Sequence, residues 1–289
     1  MENENRNGKC PYDDLFIYYL DGAVPEGLIL EQSLGQDFIG NWMEDGFSFL
    51  FFSSPAEERV SALVADNPDL KLIDHYTMSY EDWLGEKPAT FHIGHFTISP
   101  PWDQPDRFFL PNFGAYHILL DPGVVFGTGT HPTTRDCLEL MELAVRTAEV
   151  KQVLDLGCGT GLLAIAAGKL RCKTILAVDF NALAAKTTRK NVLLNGFDDR
   201  IITVQGLAEQ FTSVPADLLI ANIHFEVMEK ILRSKGFCDH NQFILSGLLK
   251  TQAEKIDDIL KDLPVTVLDK RVSNGVWHTF YGKKNGASS

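Results

Sequence analysis

Three glycines and one acid stand where they could hold a nucleotide-like ligand. Gly157, Gly159 and Gly161 lie in the segment VLDLGCGTGLLAIAAGKL, between an apolar run typical of a strand and a run with helical spacing. Glycines at such a junction allow a tight turn, and they let backbone N–H groups at a helix N-terminus approach a ligand. Asp179 ends the next apolar run, TILAVD, where a carboxylate can accept hydrogen bonds from ribose hydroxyls. The combination predicts a site for an adenosine-containing ligand, the alternative being a plain tight turn with Asp179 capping the next helix.

Two cofactors, NAD and S-adenosylmethionine, fit a glycine turn followed by an acid. The glycine spacing here is G-x-G-x-G followed by Leu162 and Leu163, whereas the dinucleotide fingerprint is G-x-G-x-x-G. The chain also ends in a predicted β-hairpin and not in a further βαβ unit. Both features favour S-adenosylmethionine, with Gly157 in the turn against its amino-acid portion and Asp179 at its ribose. The alternative from another class is a nicotinamide-dependent oxidoreductase or a cofactor-binding module without activity.

The elements that must position these residues form a repeated pattern after residue 115. From Tyr116 onward, short apolar runs alternate with helical periods. This pattern predicts a mostly parallel sheet with helices on both faces. The tail VTVLDKRVSNGVWHTFYGKK has two β-rich runs around SNG, which is a hairpin signal. We therefore predict an α/β fold over residues 116–289, a Rossmann-like sheet that ends in a β-hairpin.

The N-terminal part of the chain has a different pattern. Residues 1–99 contain the strand-like runs FIYYL, FSFLFF and FHIGHFTI and the amphipathic stretch PAEERVSALVADNP, which predict a smaller α+β domain. Residues 100–115 include PPWDQPDRFFLPNFG, and because proline neither continues a helix nor donates to a strand ladder, we predict a linker there.

The net charge, the cysteines and the apolar runs indicate which partners and which cellular location the protein can have. The formal net charge of −13 argues against direct nucleic-acid binding, which needs a basic surface, but it suits a basic protein partner. The five dispersed cysteines are typical of reduced cytoplasmic thiols, and neither they nor His92 and His95 have the pattern of a metal site. The polar N-terminus and the lack of a long apolar run predict a cytoplasmic protein without a membrane segment. Nothing in the sequence indicates the oligomeric state.

Several segments resemble the ribosomal protein L11 methyltransferase family. The segments that carry the resemblance are LDPGVVFGTGTHPTT, VLDLGCGTGLLAIAA, AVD, NVLLNG, LLIANI, LSGLL and QAE. The stretch EDWLGEKPATFHIGHFTISPPW is similar to the end of the family's N-terminal substrate-recognition domain. The resemblance extends from about Glu81 to the C-terminus and is most specific in FGTGTHPTT.

The resemblance implies that FGTGTHPTT forms a loop and a helix start that close over the cofactor. Phe126 and Gly127 would contact the cofactor, and Thr134 would lie in the first helical turn, where its hydroxyl can bind polar ligand atoms. For Thr134 the other interpretation is an ordinary N-cap, and His131 is expected to shape the loop more than to act as a base. Gly127 and Gly129 would let the loop open and close, so their substitution should reduce turnover more than stability.

Asn222 ends the run DLLIAN. Because ligands bind beyond the C-terminal ends of parallel strands, we expect Asn222 to face the same crevice as Gly157 and Asp179. The resemblance places Asn222 at the methyl-donating end of the cofactor. The following IHFEVM departs from the family, which has a small residue and a proline-leucine pair there, so that the acceptor of the methyl group stays open.

The resemblance implies a methyltransferase that uses S-adenosylmethionine to methylate amino groups, lysine side chains or the N-terminus, of a basic ribosomal protein, L11. An amine must be neutral to attack, and free lysine has a pKa of about 10.4, so that the site must favour loss of a proton. No general base can be assigned from the sequence. The alternative within the same fold is a methyltransferase with another protein or a small molecule as acceptor.

Overall fold

The computed structural model describes residues 10–25, 27–85, 87–103 and 116–286. The chain folds into two compact units. The first consists of residues 1–89, 101–104 and 181–183, and the second of residues 90–100, 105–180 and 184–289. Most of the predicted linker, residues 104–115, lies outside the described residues, and the predicted domain boundaries stay a prediction.

The first unit is an antiparallel sheet with the strand order β2-β3-β1-β4, accompanied by helices. Its elements are β1 (Asp14–Asp21), α1 (Leu28–Leu34), β2 (Phe38–Glu44), β3 (Phe47–Phe52), α2 (Glu57–Asp66), β4 (Lys71–Ser79) and α3 (Tyr80–Leu84). Val60 and Leu63 of α2 pack with Tyr18, Leu50 and Phe52 in one core. Alternate residues of β1 and β3 therefore bury one face of the sheet.

The opposite face of this sheet carries half-exposed aromatic side chains. The rings of Tyr19 and Phe49 stack with centroids 4.7 Å apart, and Phe47 lies 5.3 Å from Tyr19. Tyr76 of β4 pairs with Ile17, two residues from Tyr19, so that Tyr76 lies on the same face, and it is 46% exposed. We call Tyr19, Phe47, Phe49 and Tyr76 the aromatic face. Strand β4 forms one edge of the sheet and is exposed over most of its length.

The second unit contains a seven-stranded sheet with the order β10-β9-β8-β11-β12-β14-β13. Its strands are β8 (Gln152–Leu156), β9 (Thr174–Asp179), β10 (Ile201–Gln205), β11 (Leu218–Asn222), β12 (Gln242–Leu249), β13 (Val265–Ser273) and β14 (Trp277–Lys284). Five strands are parallel, and β14 runs antiparallel to both β12 and β13. The predicted α/β sheet that ends in a hairpin is confirmed.

Helices cover both faces of this sheet. They are α4 (Pro132–Thr147), α5 (Leu162–Lys169), α6 (Ala182–Leu194), α7 (Phe225–Arg233) and α8 (Lys250–Lys261). Val153 of β8 packs with side chains of α4, α5 and α6, whereas its neighbour Leu154 packs with side chains of α7 and α8. Successive strand residues thus enter two different cores, which is why the central strands are mostly apolar.

A three-stranded sheet precedes the FGTGTHPTT loop, residues 126–134. It consists of β5 (Phe91–Ile93), β6 (Phe96–Ser99) and β7 (Tyr116–Leu119), with β6 in the centre. Asn195 covers the outer edge of β7, since its side chain accepts from the Leu119 N–H (3.0 Å) and donates to the Leu119 carbonyl (2.7 Å). Asn191 does the same for Asp121, with both distances 2.9 Å. Two carboxamides from NVLLNG therefore take the place of a neighbouring strand.

The turn between β13 and β14 has the backbone that its sequence predicts. Asn274 and Gly275 have φ values of 52° and 68°, and asparagine followed by glycine is the pair that a tight hairpin turn of this kind favours. The SNG signal therefore marks the hairpin correctly.

The state of the cysteines, the length of the helices and the grouping of possible metal ligands are as follows. All five cysteines are free thiols. Within the described part of the chain, no helix has the length and apolarity to cross a membrane. The same residues include no group of three or more His, Cys, Asp or Glu side chains that could hold a metal ion.

Candidate active site

The glycine turn and Asp179 are joined directly. The backbone N–H groups of Gly157 and Cys158 donate to the carbonyl of Val178, at 2.8 and 3.0 Å. The Gly159 N–H donates to Oδ2 of Asp179 at 2.9 Å. The structure therefore brings together Gly157 and Asp179, two of the predicted binding residues, at the carboxyl ends of adjacent strands.

The start of α5 has no side-chain cap, and a buried carboxyl group lies close to it among the described residues. Helix α5 begins after Gly161, which has φ 81° and offers no side-chain cap, so that the first amides of the helix depend on other acceptors. Asp155 is almost fully buried two residues before the turn, and neither of its carboxylate oxygens has a hydrogen-bond partner among the described residues. Burial raises the pKa of Asp155 to about 7, the backbone N–H of Ala164 at the start of α5 partly offsets this shift, and the nearby charge of Asp179 adds to it. Asp155 is not among the predicted site residues.

The FGTGTHPTT loop is tied to the glycine turn by Thr160. The Thr160 hydroxyl donates to the Gly127 carbonyl at 2.5 Å, and its backbone N–H donates to the Phe126 carbonyl at 3.2 Å. Asn191 holds the same turn from the other side, because its side chain donates to the Thr160 carbonyl at 2.9 Å. Phe126 and Gly127 thus lie beside the turn, and the Phe126 ring is exposed.

The glycines of this loop are required by the conformation of the loop itself. Gly127 and Gly129 have φ values of 103° and 100°, which residues with a Cβ adopt only at a cost. A Cβ on Gly129 would lie 2.8 Å from Cζ of Phe91 and 2.9 Å from Cδ2 of Leu162. Part of the cost of substituting these glycines therefore falls on the resting structure, and whether turnover falls more than stability stays a prediction.

Thr134 meets Asn222 across the site. Thr134 is buried in the first turn of α4, and its Oγ1 accepts from Nδ2 of Asn222 at 3.4 Å. Thr134 is not the N-cap, since His131 occupies that position and its Nδ1 accepts from the Thr133 N–H. The structure therefore links the start of α4 to the end of β11.

His131 belongs to a group of rings at the start of α4. Its ring lies edge-on to Trp277, with centroids 4.8 Å apart, and 5.6 Å from the ring of Phe126. We call Phe126, His131 and Trp277 the aromatic wall. Partial burial lowers the pKa of His131 and so favours its neutral form, and its Nδ1 is engaged as the helix cap. These contacts agree with a loop-shaping role for His131.

Three apolar residues at the site are not among the residues predicted from the sequence. Trp277 comes from the far end of the chain, and only the strand order brings it to α4. Phe180 directly follows the end of β9, Leu207 lies two residues after the end of β10, and they are 51% and 47% exposed. Exposed apolar side chains next to Asp179 suit a flat heterocyclic base. Their positions after strand ends were the available signal.

The segment IHFEVM begins next to the glycine turn. A Cβ on Gly157 would lie 2.1 Å from Cγ2 of Ile223, so that the absence of a side chain at Gly157 leaves room for Ile223. His224 and Glu226 lie at the start of α7, and both are exposed. The departure from the family pattern therefore presents a new polar pair beside Asn222.

The other histidines named from the sequence have structural partners. His92 Nδ1 lies 2.9 Å from the Thr97 hydroxyl, and His95 contacts the carboxylate of Glu142 through both its backbone N–H and its ring. Neither contact is that of a metal ligand.

The donors and surfaces at the strand ends fit S-adenosylmethionine. Uncapped helix amides and the buried carboxyl of Asp155 suit an amino-acid portion, Asp179 suits a ribose, and Phe180 and Leu207 suit a base. The amide of Asn222 and the hydroxyl of Thr134 lie at the opposite side, toward the aromatic wall.

Comparison with known proteins gives a consistent family assignment. The sequence profile of the family described as ribosomal protein L11 methyltransferase matches residues 53–285. The ribosomal protein L11 methyltransferase of Prochlorococcus marinus is 39% identical over 285 residues, covering 91% of this chain and 90% of that protein. The Syntrophomonas wolfei protein of the same description is 35% identical over 207 residues, covering 63% of this chain and 64% of that protein. A crystal structure of ribosomal protein L11 methylase from Lactobacillus delbrueckii subsp. bulgaricus superposes with a TM-score of 0.55 at 29% identity, covering 68% of this chain and all of that one.

Proposed function

The chain belongs to the ribosomal protein L11 methyltransferase family, and on that premise we propose that it methylates amino groups of ribosomal protein L11, on lysine side chains or the N-terminus. Family membership makes S-adenosylmethionine the methyl donor. The observation that carries the proposal is the family match over residues 53–285, together with the hydrogen bond between the glycine turn and Asp179.

We assign cofactor binding to Phe126, Gly127, Thr134, Gly157, Asp179 and Asn222. When bound, the cofactor supplies a methyl group attached to a sulfonium sulfur. Attack by an amine on this methyl group is favourable because the sulfur leaves as a neutral sulfide. The protein then has to supply position and electrostatics. The side-chain N–H of Asn222 donates to the Thr134 hydroxyl. The side-chain carbonyl oxygen of Asn222 is then the atom that accepts a hydrogen bond from the amine.

The aromatic wall supports an amine acceptor. An amine removed from water loses its proton more easily, because burial disfavours the charged form. The rings of His131 and Trp277 provide such an apolar surface beside Asn222 and Thr134. A neutral His131 adds no positive charge that would repel an incoming lysine. We assign no general base.

Recognition of the protein substrate is assigned to residues 1–99, joined by the linker at 100–115 to the methyltransferase domain at 116–289. The aromatic face and the exposed strand β4 support this assignment, since exposed apolar surface is typical of protein contacts. The net charge of −13 suits a basic ribosomal protein and disfavours direct contact with nucleic acid. Such a substrate implies action in the cytoplasm.

A second candidate is a methyltransferase of the same fold with another acceptor. It is favoured by one observation, the pair His224 and Glu226 that follows Asn222 where the resemblance leads us to expect a small residue and a proline-leucine pair. A histidine and a glutamate at this position offer hydrogen bonds to a polar acceptor.

Radiolabelled methyl transfer to purified ribosomal proteins separates the two candidates. We expect label from S-adenosylmethionine on L11, and less label when its lysines are replaced by arginine or its N-terminus is blocked. The Asp179→Ala protein serves as the control for cofactor-dependent labelling. Label on another protein with none on L11 would reject L11 as the substrate and favour the second candidate.

A further inference from the structure

We propose that Asp136 is a positioning residue, which holds the tip of the β13–β14 hairpin, and with it Trp277, against the start of α4. The inference rests on the proposed function, in which the aromatic wall receives the acceptor. It assigns to a buried carboxylate outside the cofactor site the task of keeping His131 and Trp277 in contact.

Asp136 is 5% exposed and is held by two hydroxyl groups from the hairpin. The Ser273 hydroxyl donates to Oδ2 of Asp136 at 2.8 Å, and the Thr279 hydroxyl donates to the same oxygen at 3.3 Å. Ser273 ends β13 and Thr279 lies in β14. One carboxylate on α4 therefore holds both strands of the hairpin close to its turn.

The hydrogen bonds continue into the sheet. Thr279 has one hydroxyl proton, which it donates to Asp136, so that Ser246 must be the donor in the 2.6 Å contact between the Ser246 and Thr279 hydroxyls. Ser246 on β12 pairs with Asn222 on β11. The chain of contacts thus runs from α4 through the hairpin to the strand that carries Asn222.

Arg271 balances the charge of Asp136. Its Nη1 lies 3.8 Å from Oδ1 of Asp136 and 2.6 Å from Oε2 of Glu139. A buried carboxylate persists when it has donors and a counter-ion. Glu139 binds the same guanidinium, but it is half-exposed and meets the hairpin through this ion pair and not through Ser273 or Thr279. Substitution of Asp136 therefore removes the hydrogen bonds from the hairpin hydroxyls, whereas substitution of Glu139 removes only an ion pair with Arg271.

Asp136 lies where it can hold the rings of His131 and Trp277 in contact. It lies in the second turn of α4, about five residues after His131. Its partner Ser273 pairs directly with Trp277 across the turn. The intervening turn residues, Asn274 to Val276, are exposed. Helix α4 is held independently by its buried apolar face, so that loss of the carboxylate should free the hairpin tip and leave the helix in place.

Fluorine NMR of the full-length protein labelled with 5-fluorotryptophan tests the contact without any substrate. The chain has four tryptophans, and Trp277→Phe identifies the Trp277 resonance. We expect Asp136→Ala and the milder Ser273→Ala to shift or broaden this resonance. Asp136→Asn should restore it, because hydroxyl groups can still donate to the amide oxygen. Glu139→Gln is the matched control and should leave it unchanged.

Kinetics with L11 test the consequence. We expect Asp136→Ala and Ser273→Ala to lower kcat/KM for L11 about tenfold, with KM for S-adenosylmethionine within about twofold of wild type. Two results would overturn the proposal: an unchanged Trp277 resonance in Ser273→Ala and Asp136→Ala, or an equal response in Glu139→Gln. A moved resonance with unchanged kcat/KM for L11 would also overturn it. If the wild-type protein does not methylate L11 while the resonance still responds, the positioning role stands and the proposed function fails.

Discussion

Two carboxyl groups, one in each compact unit, have opposite pKa shifts. In the first unit, Asp37 is hydrogen-bonded to the guanidinium of Arg59 and to the hydroxyl of Ser54, which hold the pKa of Asp37 well below its usual range. In the second unit, Asp155 is buried without a hydrogen-bond partner among the described residues, and its pKa is raised to about 7. The first arrangement supports the fold, whereas the second costs stability and lies at the predicted cofactor site. A buried acid with a raised pKa beside the glycine turn is therefore a candidate for contact with a ligand.

The units also differ in where they expose apolar side chains. The first unit exposes Tyr76 and its neighbours along an edge strand, which is a broad surface suited to a protein. The second unit exposes Phe180 and Leu207 at the ends of strands, beside Asp179, which is a narrow site suited to a small molecule. Matched substitutions in the two units test these contrasts.

The largest effect is expected from Asp155→Asn in the ligand-free protein. A carboxyl whose pKa is about 7 when folded and 3.8 when unfolded binds more protons in the folded state, so that stability falls as pH rises from about 4 to 7. Asparagine cannot ionise, and it should stabilise the protein at pH 8 by up to about 4 kcal/mol relative to its effect at pH 4.

Asp37→Asn is the matched variant in the first unit. Because the pKa of Asp37 is lowered on folding, its contribution is present above about pH 4 and is lost on acidification, so that Asp37→Asn should destabilise the protein at pH 8. Urea unfolding at both pH values gives the comparison. Equal pH slopes for the two variants would remove the distinction between the carboxyl groups.

The next effect concerns Asp179→Ala. A hydrogen bond to a charged group contributes about 1.5–3 kcal/mol, so that the Kd for S-adenosylmethionine should rise about ten- to a hundredfold. Asp217→Ala is the control, because Asp217 also accepts from backbone N–H groups, those of Lys151 and Gln152, at the opposite ends of the strands. Calorimetry should show unchanged affinity for Asp217→Ala, and an unchanged Kd for Asp179→Ala would exclude it from the site.

Gly129→Ala and Gly46→Ala compare a crowded turn with an open one. Both glycines have positive φ, 100° and 84°, at which a residue with a Cβ costs about 1–2 kcal/mol. At Gly129 the Cβ would meet Phe91 and Leu162, whereas at Gly46 it would meet nothing within 4 Å among the described residues. Thermal melts without cofactor should therefore show a larger loss for Gly129→Ala. If Gly129→Ala melts like wild type, the loop glycines serve motion alone.

Tyr76→Ser and Ile202→Ser test the smallest effect, on substrate recognition. Both replace an exposed apolar residue on an edge strand, β4 in the first unit and β10 in the second. An exposed aromatic in a protein contact contributes about 1–2 kcal/mol, so that KM for L11 should rise about tenfold for Tyr76→Ser and stay unchanged for Ile202→Ser. The opposite result would move the recognition surface to the methyltransferase sheet.

The sheet of the second unit could be predicted because its strands enter two cores. Such strands are continuous apolar runs, and SNG marks the hairpin turn through Asn274 and Gly275. Strand β4 was not predicted, because its residues are exposed and KLIDHYTMS lacks a regular alternation. Its strand conformation is set by pairing with β1, a contact that sequence spacing does not reveal.

The candidate site shows the same limit. Gly157, Asp179 and Asn222 could be named because each ends or directly follows a parallel strand, and such ends meet at one edge of a sheet. Trp277 could not, since its contact with His131 follows from the position of β14 beside β12. The alternative interpretation of Thr134 as the N-cap of α4 is wrong, because His131 occupies that position. Histidine is an uncommon N-cap, so that only the geometry of its Nδ1 reveals the role.

The side-chain carboxamides of Asn191 and Asn195 should make hydrogen–deuterium exchange of two backbone amides near β7 depend on the opening of helix α6. The N–H of Leu119 and the N–H of Asp121 are bonded to these side chains and not to another strand. Their exchange with deuterium should therefore follow the opening of α6. Asn195 lies just past the end of α6 and Asn191 lies within it, so that fraying of the helix should release the Leu119 amide first. The Leu119 amide in β7 and the Asp121 amide just beyond it would then exchange on different timescales, and both rates would measure the stability of the segment that leads into the FGTGTHPTT loop.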